Sequence, residues 1–188
     1  MVITGEYESP LGRITMASKN NVLTGLWFFG QRYYGSNLPK QHETGDAPVF
    51  DDTRRWLDIY FAGGIPEFTP ALQYGSTPFR KLVCDVMLSI PYGQTMTYGE
   101  IARIVAEKSG RPKLSAQAVG GAVGHNPISL IIPCHRVVGT NGSLTGYAGG
   151  MEKKESLLKL EKADMSRLFV PKNETLTDRE ENTHTEKQ

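Results

Sequence analysis

The chain has 188 residues, enough for one ordinary domain or two small ones, and 39% of them are hydrophobic, so a buried core is within reach. No run approaches the roughly 20 apolar residues that span a membrane, and the N-terminus lacks the basic-then-apolar pattern of a signal peptide. Two cysteines, Cys84 and Cys134, exclude a disulfide framework and point to a reducing, cytoplasmic setting. The net charge of +1 names no partner, yet residues 80–160 carry 10 Lys+Arg against 5 Asp+Glu, a local basic excess that a nucleic acid could use.

In chain order, "VITGEYESPLGRITMASKNNVLTGLWFF" predicts a meander of short antiparallel strands turning at "SPLG" and "KNN". "DDTRRWLDIYFAGG" predicts a helix with Trp56, Leu57, Tyr60 and Phe61 at helical spacing and Gly63-Gly64 as its stop. The Pro-rich "IPEFTPALQYG" follows, and a domain boundary is placed there. Thr77 caps the next helix, with Pro78 in its first position. Phe79, Leu82, Val83, Val86, Met87 and Ile90 form its inward stripe, and Cys84 reads as a small packing residue. Thr97 and Glu100 make a capping box for a helix that opens at Tyr98.

After "RPK" a short helix capped by Ser115 completes a helix-turn-helix. Its face, Ala116, Ala118, Gly120, Gly121 and Ala122, is almost bare. Glycine in a helix interior costs about 1 kcal/mol, so either another helix packs there or a ligand must approach closely. Gln117 is almost the only side chain able to reach a base edge, and a smooth helix suits a narrow groove read by shape. The last helix, "MEKKESLLKLEKAD", puts Glu161 on the face of Leu157 and Leu158, costly for a carboxylate unless it has a partner. The polar tail from Ser166 reads as disordered.

The chemistry concentrates in "SLIIPCHRVVG", residues 129–139. Adjacent strand residues point to opposite faces, so His135 cannot lie against the Cys134 thiol if the apolar stretch is a strand that runs on. The apolar stretch reads as a buried strand, and Pro133 and Arg136 predict that it ends here in a turn. His135 then reaches the sulfur through a bridging water, or the two residues have separate tasks. A thiol with ordinary pKa near 8.5 needs a base to become a nucleophile, and that base needs an acid to orient it. Glu161 is the candidate. His42, His125, His135 and His184 are too scattered for a zinc site, and a papain-like arrangement would separate its Cys and His widely.

Three segments, "GSTPFRKLVCDVMLSIPYGQTMTYGEIA", "AQAVGGAVGHNPISLIIPCHRVVG" and "GYAGGMEKKESLLKLE", resemble the O6-alkylguanine-DNA alkyltransferases, whose signature is PCHRV. The resemblance implies a mixed α/β (α+β) fold. An N-terminal RNase H-like antiparallel sheet domain (1–72) would precede a C-terminal winged helix-turn-helix domain (73–165) and a tail (166–188). It implies repair by direct reversal: an alkylated guanine in double-stranded DNA, approached from the minor groove, is flipped out of the duplex. Its alkyl group passes irreversibly to Cys134, once per protein, with no cofactor and no metal, in a chain acting as a monomer.

By the same resemblance, His135 is the base acting through water and Glu161 orients it. Tyr98 donates to the flipped ring, and Asn126 ties the helix-turn-helix to the active-site turn. The backbone of Cys134 and Val137 accepts from the guanine amine, and the Ala148 amide donates near O6. Gly146 and Tyr147 belong to a loop closing over the pocket. Ser115, Ala116, Gln117, Ala118, Gly120 and Gly121 face the DNA. Arg136 is placed with the DNA-binding residues, although a structural pairing with a carboxylate fits it too. Many members carry an arginine where Gln117 stands, which implies weaker binding here or a different balance between contacts. A related non-catalytic group has tryptophan at the cysteine position, and the presence of Cys134 weighs against that group; two alternatives stay beside repair, a lesion-binding protein that does not transfer the group and a cysteine hydrolase that turns over.

Overall fold

The computed structural model describes residues 1–172. Three antiparallel strands, β1 (Val2–Ser9), β2 (Gly12–Lys19) and β3 (Val22–Phe28), form the expected meander, and a short β4 (Glu43–Thr44) adds to β1 in parallel, giving the order β3-β2-β1-β4. Helix α1 (Pro48–Phe61) begins earlier than the acidic residues suggest, at Pro48, whose missing N–H costs nothing in a first turn. Its buried residues Val49, Phe50, Thr53, Trp56, Leu57 and Tyr60 recur at helical spacing against the sheet.

The C-terminal half is built from α2 (Pro78–Leu88), α3 (Tyr98–Lys108), α4 (Ala116–Gly124) and α5 (Met151–Leu160), with a two-stranded parallel pair, β5 (Met96–Thr97) and β6 (Val137–Val138). The caps are where the sequence puts them. Thr77 Oγ1 accepts from the Arg80 amide, Ser115 Oγ from the Ala118 amide, and Thr97 and Glu100 form a reciprocal capping box. One apolar cluster runs unbroken from Ile14, Met16 and Leu26 of the sheet to Val119, Ile132 and Leu157 of the helical half.

Two departures matter for the site. The apolar stretch before Cys134 is not a strand. Ile128, Leu130, Ile131 and Ile132 are buried in successive turns, and pairing with the edge strand β3 is confined to one position. A single bridge joins Ile128 to Leu26, where the Leu26 amide donates to the Pro127 carbonyl (2.9 Å) and the Ser129 amide to the Leu26 carbonyl (2.9 Å). β3 thereby holds the segment that delivers Cys134. The tail expected from Ser166 is ordered as far as residue 172: Met165–Arg167 form a 3-10 turn, and the Leu144 amide donates to the Phe169 carbonyl (3.0 Å). The remainder of that expectation lies outside the described residues. No helix among the described residues is long and apolar enough to cross a membrane.

Candidate active site

Cys134–Arg136 form one 3-10 turn after Pro133, the turn predicted from the flanking Pro and Arg. All three residues are buried. The side-chain amide of Asn126, the charge of Lys154 and the backbone amides of Cys134 and His135 all favour the Cys134 thiolate. Burial outweighs them and raises its pKa, so the resting group is a thiol. Asn126 also fastens the end of α4 to the turn, donating through Nδ2 to the Ile132 carbonyl (2.8 Å) and accepting from the Ile128 amide (3.0 Å).

Glu161, the C-terminal cap of α5, is completely buried and accepts from five donors. Oε1 receives His135 Nε2 (2.6 Å), the Tyr60 hydroxyl (2.7 Å) and Arg136 Nη2 (3.0 Å). Oε2 receives Arg136 Nε (2.9 Å) and the Gly93 amide (3.0 Å). Burial alone would raise its pKa, but His135 and Arg136 hold it well below the usual carboxylate range. Gly93, at φ +75°, is required here: a Cβ would sit 2.7 Å from the Glu161 carbonyl oxygen.

A carboxylate that stays ionised has no proton to share, so His135 Nε2 must carry one. The neutral ring then presents a bare Nδ1, which is buried and has no hydrogen-bond partner among the described residues. Burial lowers the His135 pKa, with Glu161 opposing, so the imidazole rests neutral. A neutral base next in the chain to a protonated thiol is an arrangement able to form a nucleophile on demand.

The loop before α5 closes the other side. The Tyr98 hydroxyl donates to the Thr145 carbonyl (3.1 Å), Gly146 lies against that hydroxyl, and the Tyr147 ring packs edge-on to His135. The Tyr147 hydroxyl is buried without a hydrogen-bond partner among the described residues. The Ala148 carbonyl accepts from the Arg32 amide (3.0 Å), which ties the loop to the N-terminal half. The Val137 amide donates to the Cys134 carbonyl, and the Val137 carbonyl accepts from Lys154 Nζ. Ser115, Ala116, Gln117, Ala118 and Gly121 form an exposed, nearly bare surface on α4. Gly120 is half-buried beside the Tyr98 ring, and Ala122 turns into the core.

Arg136 departs from its expected place among DNA-binding residues. Its guanidinium is turned inward, to Glu161 at two points and through Nη1 to the Ile90 carbonyl (2.7 Å), so it is not offered to a phosphate. The structural pairing with a carboxylate is the one the fold uses. Tyr60 and Lys154 were not visible as site residues in the sequence. Tyr60 looked like one more core aromatic of α1. Lys154 had a legible signal: with Leu157, Leu158 and Glu161 it completes an i, i+3, i+4, i+7 stripe, and it is fully buried.

Two family models match the chain, the 6-O-methylguanine DNA methyltransferase ribonuclease-like domain over residues 2–74 and the DNA-binding domain of the same family over residues 78–163. The chain belongs to the 6-O-methylguanine DNA methyltransferase family. It is 45% identical over 156 residues to a methylated-DNA–protein-cysteine methyltransferase of Mycobacterium bovis, covering 83% of this chain and 90% of that one. A Methanosarcina acetivorans protein of the same name is 43% identical, covering 82% and 95%. The crystal structure of Mycobacterium tuberculosis OGT in complex with DNA superposes with a TM-score of 0.73 at 41% identity, over 88% of this chain and 94% of that chain. Family membership thus joins a mixed α+β fold to the Cys134 turn.

Proposed function

We propose that this chain repairs O6-alkylguanine in DNA by direct reversal, with Cys134 as the alkyl acceptor. The observation that carries the reading is the buried run from Asn126 through Cys134 and His135 to Glu161, which sets a protonated thiol beside a neutral, oriented base. The thiol proton passes through a water to His135 Nδ1. Sγ then bonds to the alkyl carbon as the carbon–O6 bond breaks, and that electron pair leaves with guanine. Tyr98 gives its hydroxyl proton to the leaving ring in place of the Thr145 carbonyl. The thioether on Cys134 has no route back to a thiol, so each molecule acts once.

The guanine must leave the duplex to meet a buried sulfur, which argues for base flipping. The bare, exposed face of α4 fits the minor groove better than the side-chain-rich readout of the major groove. The Cys134 and Val137 carbonyls would accept from the guanine amine and the Ala148 amide would donate near O6. Gly146 and Tyr147 would close over the ring. We divide the chain into domains at 72/73, with the second running to 165, and read it as a cytoplasmic monomer.

The deciding experiment mixes the protein with a short duplex holding one O6-methylguanine and reads the intact mass, then a peptide map. A gain of one methylene unit on the Cys134 peptide, saturating at one per protein, is the expected result. Bound duplex with no gain would favour a lesion-binding protein without transfer, and continuing product release would favour a hydrolase.

A further inference from the structure

The phenol of Tyr60 comes from the other half of the molecule, 101 residues before Glu161, and ends in the charge network of the site. Tyr60 is the last inward residue of α1 and is fully buried. Its ring is caged by aromatics: stacked on Trp56 at 5.2 Å and edge-on to Phe61 at 5.4 Å, Tyr92 at 6.1 Å and His135 at 6.3 Å. Tyr92 reinforces the junction, its hydroxyl reaching the carbonyls of Gly63, just beyond α1, and Leu160, at the end of α5. A side chain needed only to fill this space could be phenylalanine. A buried hydroxyl has to be satisfied, and this one is satisfied on the carboxylate that orients the base.

The direction of its hydrogen bond follows from proton counting. Glu161 is ionised and cannot donate, and Tyr60 stays protonated because burial and the neighbouring carboxylate push its pKa far up. The phenol therefore donates to Oε1 at 2.7 Å, the same oxygen that His135 Nε2 approaches at 2.6 Å. The phenol oxygen also lies 3.3 Å from Nε2. We propose that Tyr60 is a positioning residue for alkyl transfer, a phenol supplied by α1 that shares Glu161 Oε1 with His135 and so sets how strongly the carboxylate holds the imidazole proton.

Each donor on Oε1 draws off charge that would otherwise stabilise an imidazolium. With Tyr60, Arg136 and His135 all on that oxygen, the pull on Nε2–H is tempered and His135 rests as a free base. Without the hydroxyl, Glu161 turns more of its charge to Nε2–H, and His135 holds a second proton up to a higher pH. The other groups facing this ring are Arg136 from the same turn, Lys154 from α5, Tyr147 from the loop before α5 and the Cys134 thiol. Of these, Arg136 and Lys154 oppose protonation.

The proposal rests on the repair reading, and its test separates the two. The variant is Tyr60→Phe, which keeps the ring and its packing. Histidine in the full chain is labelled with nitrogen-15, and His135 is titrated by NMR, a readout that needs no DNA. The expected result is an upward shift of the His135 titration by roughly half to one pH unit, with Nε2 still carrying the proton of the neutral ring. The acid limb of methyl transfer from an O6-methylguanine duplex should move upward by the same amount. A His135 titration that stays where it is in wild type would overturn the proposal, whether or not transfer slows. Trp56→Phe, which disturbs the same cage while leaving the hydroxyl, is titrated beside it as control, and a shift of the same size there would also overturn the proposal. Failure of wild-type Cys134 to gain a methyl group would instead count against the repair reading alone.

Discussion

Arg136 and Glu161 form a two-point ion pair inside the protein, Nε to Oε2 at 2.9 Å and Nη2 to Oε1 at 3.0 Å. The pair leaves Glu161 ionised at a helix C-terminus, where the helix dipole disfavours a negative charge. Arg136→Met should be strongly destabilising, by about 3–5 kcal/mol, because it strands a buried carboxylate and frees the Ile90 carbonyl. Arg136→Lys should recover only part of this, since an ammonium cannot reproduce the fork. Urea unfolding of the three proteins measures both steps, and a loss below about 1 kcal/mol for the methionine variant would contradict the assignment.

Gly146 and Tyr98 constrain each other. Gly146 has φ +83°, and a Cβ there would lie 2.6 Å from the Tyr98 hydroxyl. Gly146→Ala should therefore slow methyl transfer about as much as Tyr98→Phe does, on the order of 10²-fold if the hydroxyl acts as a general acid. Duplex affinity should stay near normal in Tyr98→Phe. Single-turnover rates beside equilibrium binding separate the two effects, and an unchanged rate for Tyr98→Phe would remove its hydroxyl from the chemistry.

The pH dependence has a definite sign. Burial lowers the His135 pKa, and transfer needs the neutral ring, so the acid limb of the rate should be centred below the ordinary histidine value of about 6.5. A limb above that value would mean His135 is not the base. The folded pKa values of His135 and Glu161 are both depressed, so the unfolded chain binds more protons. Their contribution to stability is complete above about 6.5. It falls first as unfolded histidine takes its proton, then further below about 4.3 as unfolded glutamate does, and it is gone beneath the folded values. Thermal melts between pH 8 and pH 3, compared with those of a Glu161→Gln variant, read this out: the wild-type advantage should shrink as the pH falls.

Gln117 is exposed near the start of α4, where many relatives of this kind carry arginine by the resemblance drawn above. Gln117→Arg should tighten binding of the lesion duplex by roughly 1 kcal/mol, about fivefold, and leave the Cys134 chemistry alone. Equilibrium binding at fixed salt tests it. Equal or weaker binding would show that glutamine serves this interface as well as a charge does.

Much of the molecule was readable without coordinates. Alternation and turn residues marked the meander, capping residues marked the starts of α2, α3 and α4, and PCHRV marked the reactive turn. These signals are local: a cap satisfies an amide three residues away, and a stripe repeats within one helix. What the tertiary structure alone decided is who meets whom at Glu161. Local spacing carries no information about a phenol 101 residues upstream, and it placed Arg136 with the DNA-binding residues where the fold pairs it with a carboxylate. Ile128–Ile132 had the composition of a strand, and only the shape of the surrounding core made them a buried run of turns. Burial is a property of the assembled interior, and burial turned a lysine, an arginine and a tyrosine of ordinary appearance into parts of one site.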